Sequence, residues 1–222
     1  PGRRMNGAIK ICGIKTPDAF DCAVERGASH IGFAFIPKSP RNIAPADAQP
    51  LATRSTRITT VALTMDASDD TLQSIAETLK PGLWQLHGTE TPDRVRNIPA
   101  RFGIPVMKAI SFTGAASAEE AHRYESVADW LMFDAASGGS GETFDWKLIA
   151  DEKWSKPWFL AGGLTPETVA HAIYQNRPSG VDVSSGVEKT RGNKDCGLIA
   201  SFISNARTAF DDIALGNTRS QA

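Results

Sequence analysis

Cysteine is scarce in this 222-residue chain. Its three copies, Cys12, Cys22 and Cys196, show neither CxxC spacing nor an even count, which argues against a disulfide framework or a zinc site. Long apolar runs are missing as well: none approaches the ~18 residues that would suggest a membrane span. No charge of one sign dominates. Lys plus Arg total 24 against 25 Asp plus Glu, a formal net charge of -1, so neither a nucleic-acid surface nor a polybasic membrane patch is indicated. The start, Pro1-Gly2-Arg3-Arg4-Met5-Asn6-Gly7, is basic but has no apolar region behind it, so no secretory signal is read there. Four residues precede Met5, and Pro1 to Gly7 is expected to be a flexible or appended start. These absences point to a cytoplasmic protein large enough to bury a substantial core, with a small molecule as its partner and neither nucleic acid nor membrane.

What is present is a repeating unit. Short apolar runs lie at Ala8 to Cys12, Ile31 to Phe35, Thr59 to Met65, Leu83 to Leu86, Pro105 to Ile110, Trp130 to Phe133, Trp158 to Ala161 and Val181 to Val183. Each is too short for a helix, and most are rich in the β-branched and aromatic residues of buried parallel strands. Helix starts fall between them. Thr16-Pro17-Asp18, Thr91-Pro92-Asp93 and Thr165-Pro166-Glu167 share one device, Thr as N-cap with Pro at the first helical position, and Ser68-Asp69-Asp70 opens another helix. Asp195 to Phe210 reads as a final amphipathic helix. Parallel strands need crossovers, normally helices. A unit of roughly 25 residues taken eight times fills the chain as a single (β/α)8 barrel spanning 1–222, slightly under the ~250 residues usual for that fold. A doubly wound open sheet is the alternative, but no GxGxxG follows an early strand.

Active sites in such barrels lie at the C-terminal ends of the strands. Those ends carry Cys12, then Pro37-Lys38-Ser39-Pro40-Arg41, Asp66, His87-Gly88, Ser111, Asp134, Gly162-Gly163 and Ser184-Ser185-Gly186. The mouth thus holds a thiol, carboxylates, an arginine, a histidine and two small-residue turns. "LAGGLTPE" sets Gly162 and Gly163 between a strand and a helix N-terminus, where N–H groups and the helix dipole favour an anion. "VDVSSGVE" supplies a second turn one strand later, and phosphate sites of this fold frequently use the loops after strands seven and eight. "GGSGETFDW", Gly138 to Trp146, lacks the ending of a Walker loop and reads as a lid or a plain loop. Cys22 and Cys196 read as packing residues, and His30, His122 and His171 as structural. Lys10, Gln85, Lys108 and Asp182 are polar residues in apolar strands that the sequence alone does not sort into site and scaffold.

Taken in order, "KICGI", "GFAFIPKSPRNI", "QLHG", "FDA" with "GGSGETFDW", "AGGLTPE" and "VDVSSGVE" with the later "KD" resemble the phosphoribosylanthranilate isomerase family of tryptophan biosynthesis. The resemblance implies an Amadori rearrangement. N-(5-phosphoribosyl)anthranilate becomes 1-(2-carboxyphenylamino)-1-deoxyribulose 5-phosphate, with no cofactor or metal. It implies Cys12 as general base, Asp134 as general acid, Arg41 as the holder of the anthranilate carboxylate, and Gly162, Gly163, Ser184 and Ser185 as the phosphate grip. His87 and Asp182 are further substrate-binding candidates, with His87 either touching substrate or fixing its own loop. Departures from the family pattern lie at "VALTMDAS", Glu142 and Arg191, away from the acid and base.

The chemistry fits these residue types. Ring opening needs a proton on the furanose oxygen, so Asp134 is expected to enter protonated, its pKa raised by its surroundings. A free thiol of pKa ~8.5 is mostly protonated at neutral pH, so Cys12 needs activation from nearby cations or the iminium that develops on the substrate. Arg41 suits a planar carboxylate. Two alternatives remain: the histidine-pathway aminoaldose isomerase, which relies on two aspartates rather than a cysteine, and a phosphosugar-binding barrel without catalysis. Monomer and homodimer both fit the sequence.

Overall fold

The computed structural model describes residues 7–134, 149 and 151–216. Eight parallel strands are present: β1 (Ala8–Cys12), β2 (His30–Ala34), β3 (Thr59–Thr64), β4 (Leu83–Leu86), β5 (Val106–Ser111), β6 (Trp130–Asp134), β7 (Trp158–Ala161) and β8 (Gly180–Val183). They close in sequence order, with β8 pairing back to β1 in the register Lys10↔Asp182. The expected barrel is the observed fold, and each apolar run lies within a residue or so of a strand.

Helices cover the outside: α1 (Pro17–Glu25), α2 (Pro45–Ala52), α3 (Asp69–Leu79), α4 (Pro92–Phe102), α5 (Ala115–His122), α6 (Val169–Asn176) and α7 (Cys196–Ala214). Three of the expected caps are made: the hydroxyls of Thr16, Ser68 and Thr91 accept from the backbone N–H of Ala19, Thr71 and Arg94. The third Thr-Pro device behaves differently. Thr165 to Thr168 form a turn in which Thr165 N–H donates to Thr168 Oγ1 at 3.0 Å, and α6 begins only at Val169. The helix N-terminus expected directly behind Gly162-Gly163 is therefore displaced along the chain. The last helix starts where expected, capped by Asp195, and runs four residues past Phe210. Between β8 and α7 sits a hairpin unforeseen in the sequence, β9 (Glu188–Thr190) against β10 (Asn193–Lys194).

Strand alternation divides the core into two layers. Ala8, Val61, Leu83, Met107, Met132 and Phe159 fill the barrel lumen, while Ile9, Ile11, Ile31, Phe33, Trp84 and Leu86 face outward into the shell shared with the helices. Cys12, Ala34 and Leu63 form a small apolar collar nearer the mouth. His30 opens β2 at the far end, buried and edge-on to Phe159 with ring centroids 5.5 Å apart; burial, aided by Lys10, depresses its pKa to about 4. His122 ends α5, stacked on Trp154 and bonded to Glu125. Both are structural, as expected.

Gly7, grouped in the sequence with a flexible start, is anchored: its N–H donates to Ser179 at 3.0 Å and its carbonyl accepts from Arg207 at 3.3 Å. The preceding six residues, and the lid expected at Gly138 to Trp146, lie outside the described residues. Among the described residues, no helix is long and apolar enough to cross a membrane.

Candidate active site

β1 presents Lys10 and Cys12 to the same side because they are two residues apart. Lys10 is completely buried, and its ammonium donates to Asp182 Oδ1 at 2.8 Å across the β1–β8 closure. The neighbouring strand makes room with Gly32, where a Cβ would stand 2.9 Å from Cys12 Sγ and 3.0 Å from Lys10 Nζ. The thiol and the ammonium therefore border one small space. Burial works against a charged Lys10, but Asp182 and Cys12 outweigh it and hold the lysine above its ordinary pKa. Burial pushes the Cys12 thiol up, and Asp182 adds to this, against the opposing pull of Lys10 and Lys194. The cations expected to activate Cys12 are thus present, yet desolvation prevails and holds the thiol above its ordinary pKa.

Asp134 ends β6 on the lumen side, half-buried, with His87 Nε2 3.3 Å from its Oδ2. His87 extends β4 at the position after Leu86, and the loop carrying it is held from outside the barrel. Lys108 Nζ donates to the carbonyls of Leu86 and Gly88 and to Glu90 Oε2 at 3.3, 2.6 and 2.9 Å. Lys108 is therefore scaffold. So is Asp66, whose Oδ1 accepts from Thr89 N–H at 2.7 Å. Gln85 faces the lumen, its amide donating to Met132 Sδ at 3.2 Å.

Arg41 is placed by a group that sequence reasoning missed. Its Nε and Nη2 donate to the two oxygens of Glu188 at 2.7 and 2.9 Å, the forked geometry that suits a carboxylate. Glu188 also accepts from Gly192 N–H at 3.0 Å and from Lys194 Nζ at 2.9 Å. Burial alone would raise the Glu188 carboxyl, but these donors hold it at about 2. Lys194 bonds in turn to the carbonyl and hydroxyl of Ser184, at 2.9 and 3.3 Å. One carboxylate thereby links Arg41 to the turn after β8. Among the described residues, Glu188 takes Nε and Nη2 of the Arg41 guanidinium and leaves Nη1 without a hydrogen-bond partner. "VE" and "KD" were visible in the sequence, but nothing local tells that Glu188 reaches back 147 residues to Arg41.

The two small-residue turns do come together. Gly162 and Gly163 both take left-handed backbone, φ 85° and 67°. A Cβ on Gly186 would lie 2.0 Å from the carbonyl oxygen of Leu164, so only glycine allows the β8 turn to pack on the β7 loop. Ser184 donates its hydroxyl to the Cys12 carbonyl at 3.2 Å, and Ser185 begins a short 3₁₀ turn, Ser185–Val187. Among the described residues, no three His, Cys, Asp or Glu side chains cluster as a metal site would require. Asp182, expected to bind substrate, accepts a hydrogen bond from Lys10 one layer below Ser184. The alternation that puts Lys10 under Cys12 and Asp182 under Ser184 is the signal that would have sorted both from Lys108.

A buried thiol over a lysine–aspartate pair, a carboxylate beside a histidine and an oriented arginine, gathered at the C-terminal mouth of a closed barrel, define a (β/α)8 enzyme built for acid–base work on an anionic small molecule. Residues 9–205 match the family model of N-(5'phosphoribosyl)anthranilate (PRA) isomerase. The N-(5'-phosphoribosyl)anthranilate isomerase of Bradyrhizobium sp. (strain ORS 278) is 44% identical over 213 residues, covering 92% of this chain and 97% of the relative. The crystal structure of the Thermotoga maritima phosphoribosyl anthranilate isomerase matches with TM-score 0.84 at 37% identity, over 90% of this chain and 98% of that one. A second such isomerase, solved in complex with reduced 1-(o-carboxyphenylamino)-1-deoxyribulose 5-phosphate, matches with TM-score 0.81 at 35% identity and the same coverage, 90% and 98%. The chain belongs to the phosphoribosylanthranilate isomerase family.

Proposed function

We propose that this chain carries out the family's reaction, the rearrangement of N-(5'-phosphoribosyl)anthranilate to 1-(2-carboxyphenylamino)-1-deoxyribulose 5-phosphate in tryptophan biosynthesis, with Cys12 as base and Asp134 as acid. The observation that carries this assignment is the pairing at the mouth: Cys12 above the Lys10–Asp182 pair on one side of the lumen and Asp134 beside His87 on the other. The 5-phosphate sits on the N–H groups of the Gly162-Gly163 and Ser184-Ser185 turns, and the anthranilate carboxylate meets the open edge of Arg41. Asp134 gives its proton to the furanose oxygen, and His87, within reach of the same carboxyl, restores it. Ring opening leaves a cationic Schiff base, which acidifies the C2 hydrogen.

That cation is what a buried thiol lacks at rest. Together with Lys10 and Lys194 it reverses the effect of burial, so Cys12 deprotonates as the iminium forms and takes the C2 hydrogen. The enolamine then tautomerises to the ketone. Every step moves a proton, and all groups come from one chain, so the scheme is the same for a monomer or a homodimer. The three cysteines lie as free thiols, which suits a cytoplasmic setting.

The test is the loss of anthranilate-type fluorescence as purified protein consumes phosphoribosylanthranilate. Cys12→Ser and Asp134→Asn should each lower kcat by at least ~10²-fold with folding intact. An inactive parent would remove the assignment; variants as fast as the parent would remove the two roles.

A further inference from the structure

The first and last helices of the barrel, α1 and α7, pack side by side where the fold closes on itself. Cys22 on α1 and Cys196 on α7 meet at that junction. Cys22 Sγ lies 3.5 Å from the Cys196 carbonyl oxygen, and Cys196 Sγ lies 3.7 Å from the carbonyl oxygen of Asp18, one turn ahead of Cys22. Each sulfur thus reaches across to a carbonyl oxygen of the other helix, so both thiols sit at one junction between α1 and α7. The packing roles expected from the sequence are incomplete: Cys22 is half-buried, while Cys196, the first residue of α7, is exposed.

We propose that Cys22 and Cys196 are an oxidative modification site, forming an intramolecular disulfide that staples α1 to α7 when the protein meets a peroxide. Neither residue belongs to the catalytic machinery, so the site is independent of the activity assigned above. Exposure makes Cys196 the sulfur that is attacked first. Its sulfur takes one oxygen from the peroxide as the O–O bond breaks and one water leaves, giving a sulfenic acid. The Cys22 sulfur then displaces that oxygen. The S–S bond forms, the S–O bond breaks, and a second water departs with the Cys22 proton. Two thiols lose two electrons and one hydrogen peroxide gains them. Burial and the neighbouring Cys196 raise the Cys22 thiol to about 12, which keeps it protonated and makes the second displacement the slower step.

The bond would join residues 174 positions apart, converting the closure of the barrel from packing and hydrogen bonds into a covalent ring. Constraining so long a loop in the unfolded chain raises the melting temperature, by about 10 °C if the link forms without strain.

The folded protein is treated with stoichiometric hydrogen peroxide, and thiols are counted in denaturant before and after. A non-reducing digest should contain a peptide pair joining Cys22 to Cys196, and the melting temperature should rise and return on adding dithiothreitol. Cys22→Ser and Cys196→Ser should each abolish both the linked peptide and the shift. A Cys196 sulfinic acid with Cys22 still free, a Cys196–Cys196 dimer, or a thermal shift that persists in Cys22→Ser would overturn the proposal. Because the parent protein carries the main readout, the result does not depend on the variants folding.

Discussion

Two lysines, Lys10 and Lys108, sit in strands of the same barrel, both essentially buried and both paired with a carboxylate, Asp182 at 2.8 Å and Glu90 at 2.9 Å. They lie on opposite sides of the sheet. Lys10 points into the lumen beneath Cys12, the proposed base. Lys108 points outward, over the Tyr124 ring at 5.5 Å, where its charge ties down the loop that carries His87. Residue type, burial and pairing are shared, so what differs is strand parity. In this barrel, strand parity sets one buried ion pair beside the proposed base and the other behind the loop that carries His87.

The most forceful way to break this comparison is to remove each ammonium. Lys10→Met should lower kcat/KM about 10²-fold at neutral pH and move its rise to higher pH, because the thiolate loses its nearest cation. Lys108→Met should leave the pH profile in place while lowering stability by about 3 kcal/mol, since Glu90 is left buried without its partner. Urea unfolding with pH-dependent kinetics separates the two, and equal kinetic damage from both substitutions would end the distinction.

Glu188→Gln sharpens it at the other edge of the mouth. Without the charge that orients it, Arg41 loses its set position; KM should rise about 10-fold with kcat within a few-fold, since the lost interaction holds ground state and transition state alike. A fall in kcat at unchanged KM would instead put Glu188 in the proton transfers.

The unmodified protein should show the effect of lumen burial directly. With Cys12 held above its ordinary pKa in the free enzyme, kcat/KM should climb with pH through neutrality rather than level off. A profile already flat at pH 7 would mean the lysines prevail over desolvation. The smallest effect concerns stability. Glu188 is depressed from 4.5 to about 2, so the folded state holds its carboxylate more tightly than the unfolded chain does. Its contribution is complete above pH 4.5 and is lost as pH falls towards 2. Glu188→Gln should remove that part of the acid loss, seen as a shallower decline in melting temperature over this window.

Much of this molecule was legible in its residues. The apolar runs became strands because four to six consecutive residues, most of them buried, with turn signals at each end have few other uses. Thr16, Ser68 and Thr91 became caps because a hydroxyl there satisfies a backbone N–H that the helix leaves open. Thr165 misled because Thr168 offered a competing hydroxyl three residues on. Cys12 and Asp134 could be marked as candidates by their places at strand ends and by the family motifs, whereas the ties of Glu188 to Arg41, of Lys194 to Ser184 and of Asp182 to Lys10 could not be read locally.

Sequence by itself determined what is local: the order of strands and helices, their caps, and which residues end at the mouth. Those follow from periodicity and from hydrogen bonds between near neighbours. Tertiary structure alone decided which partners meet across the closure: Lys10 with Asp182, Arg41 with Glu188, and Cys22 with Cys196. These pairs are 172, 147 and 174 residues apart, and no local pattern encodes them. They arise because β8 must pair with β1 in one register to close the barrel, and that register fixes which side chains share a face.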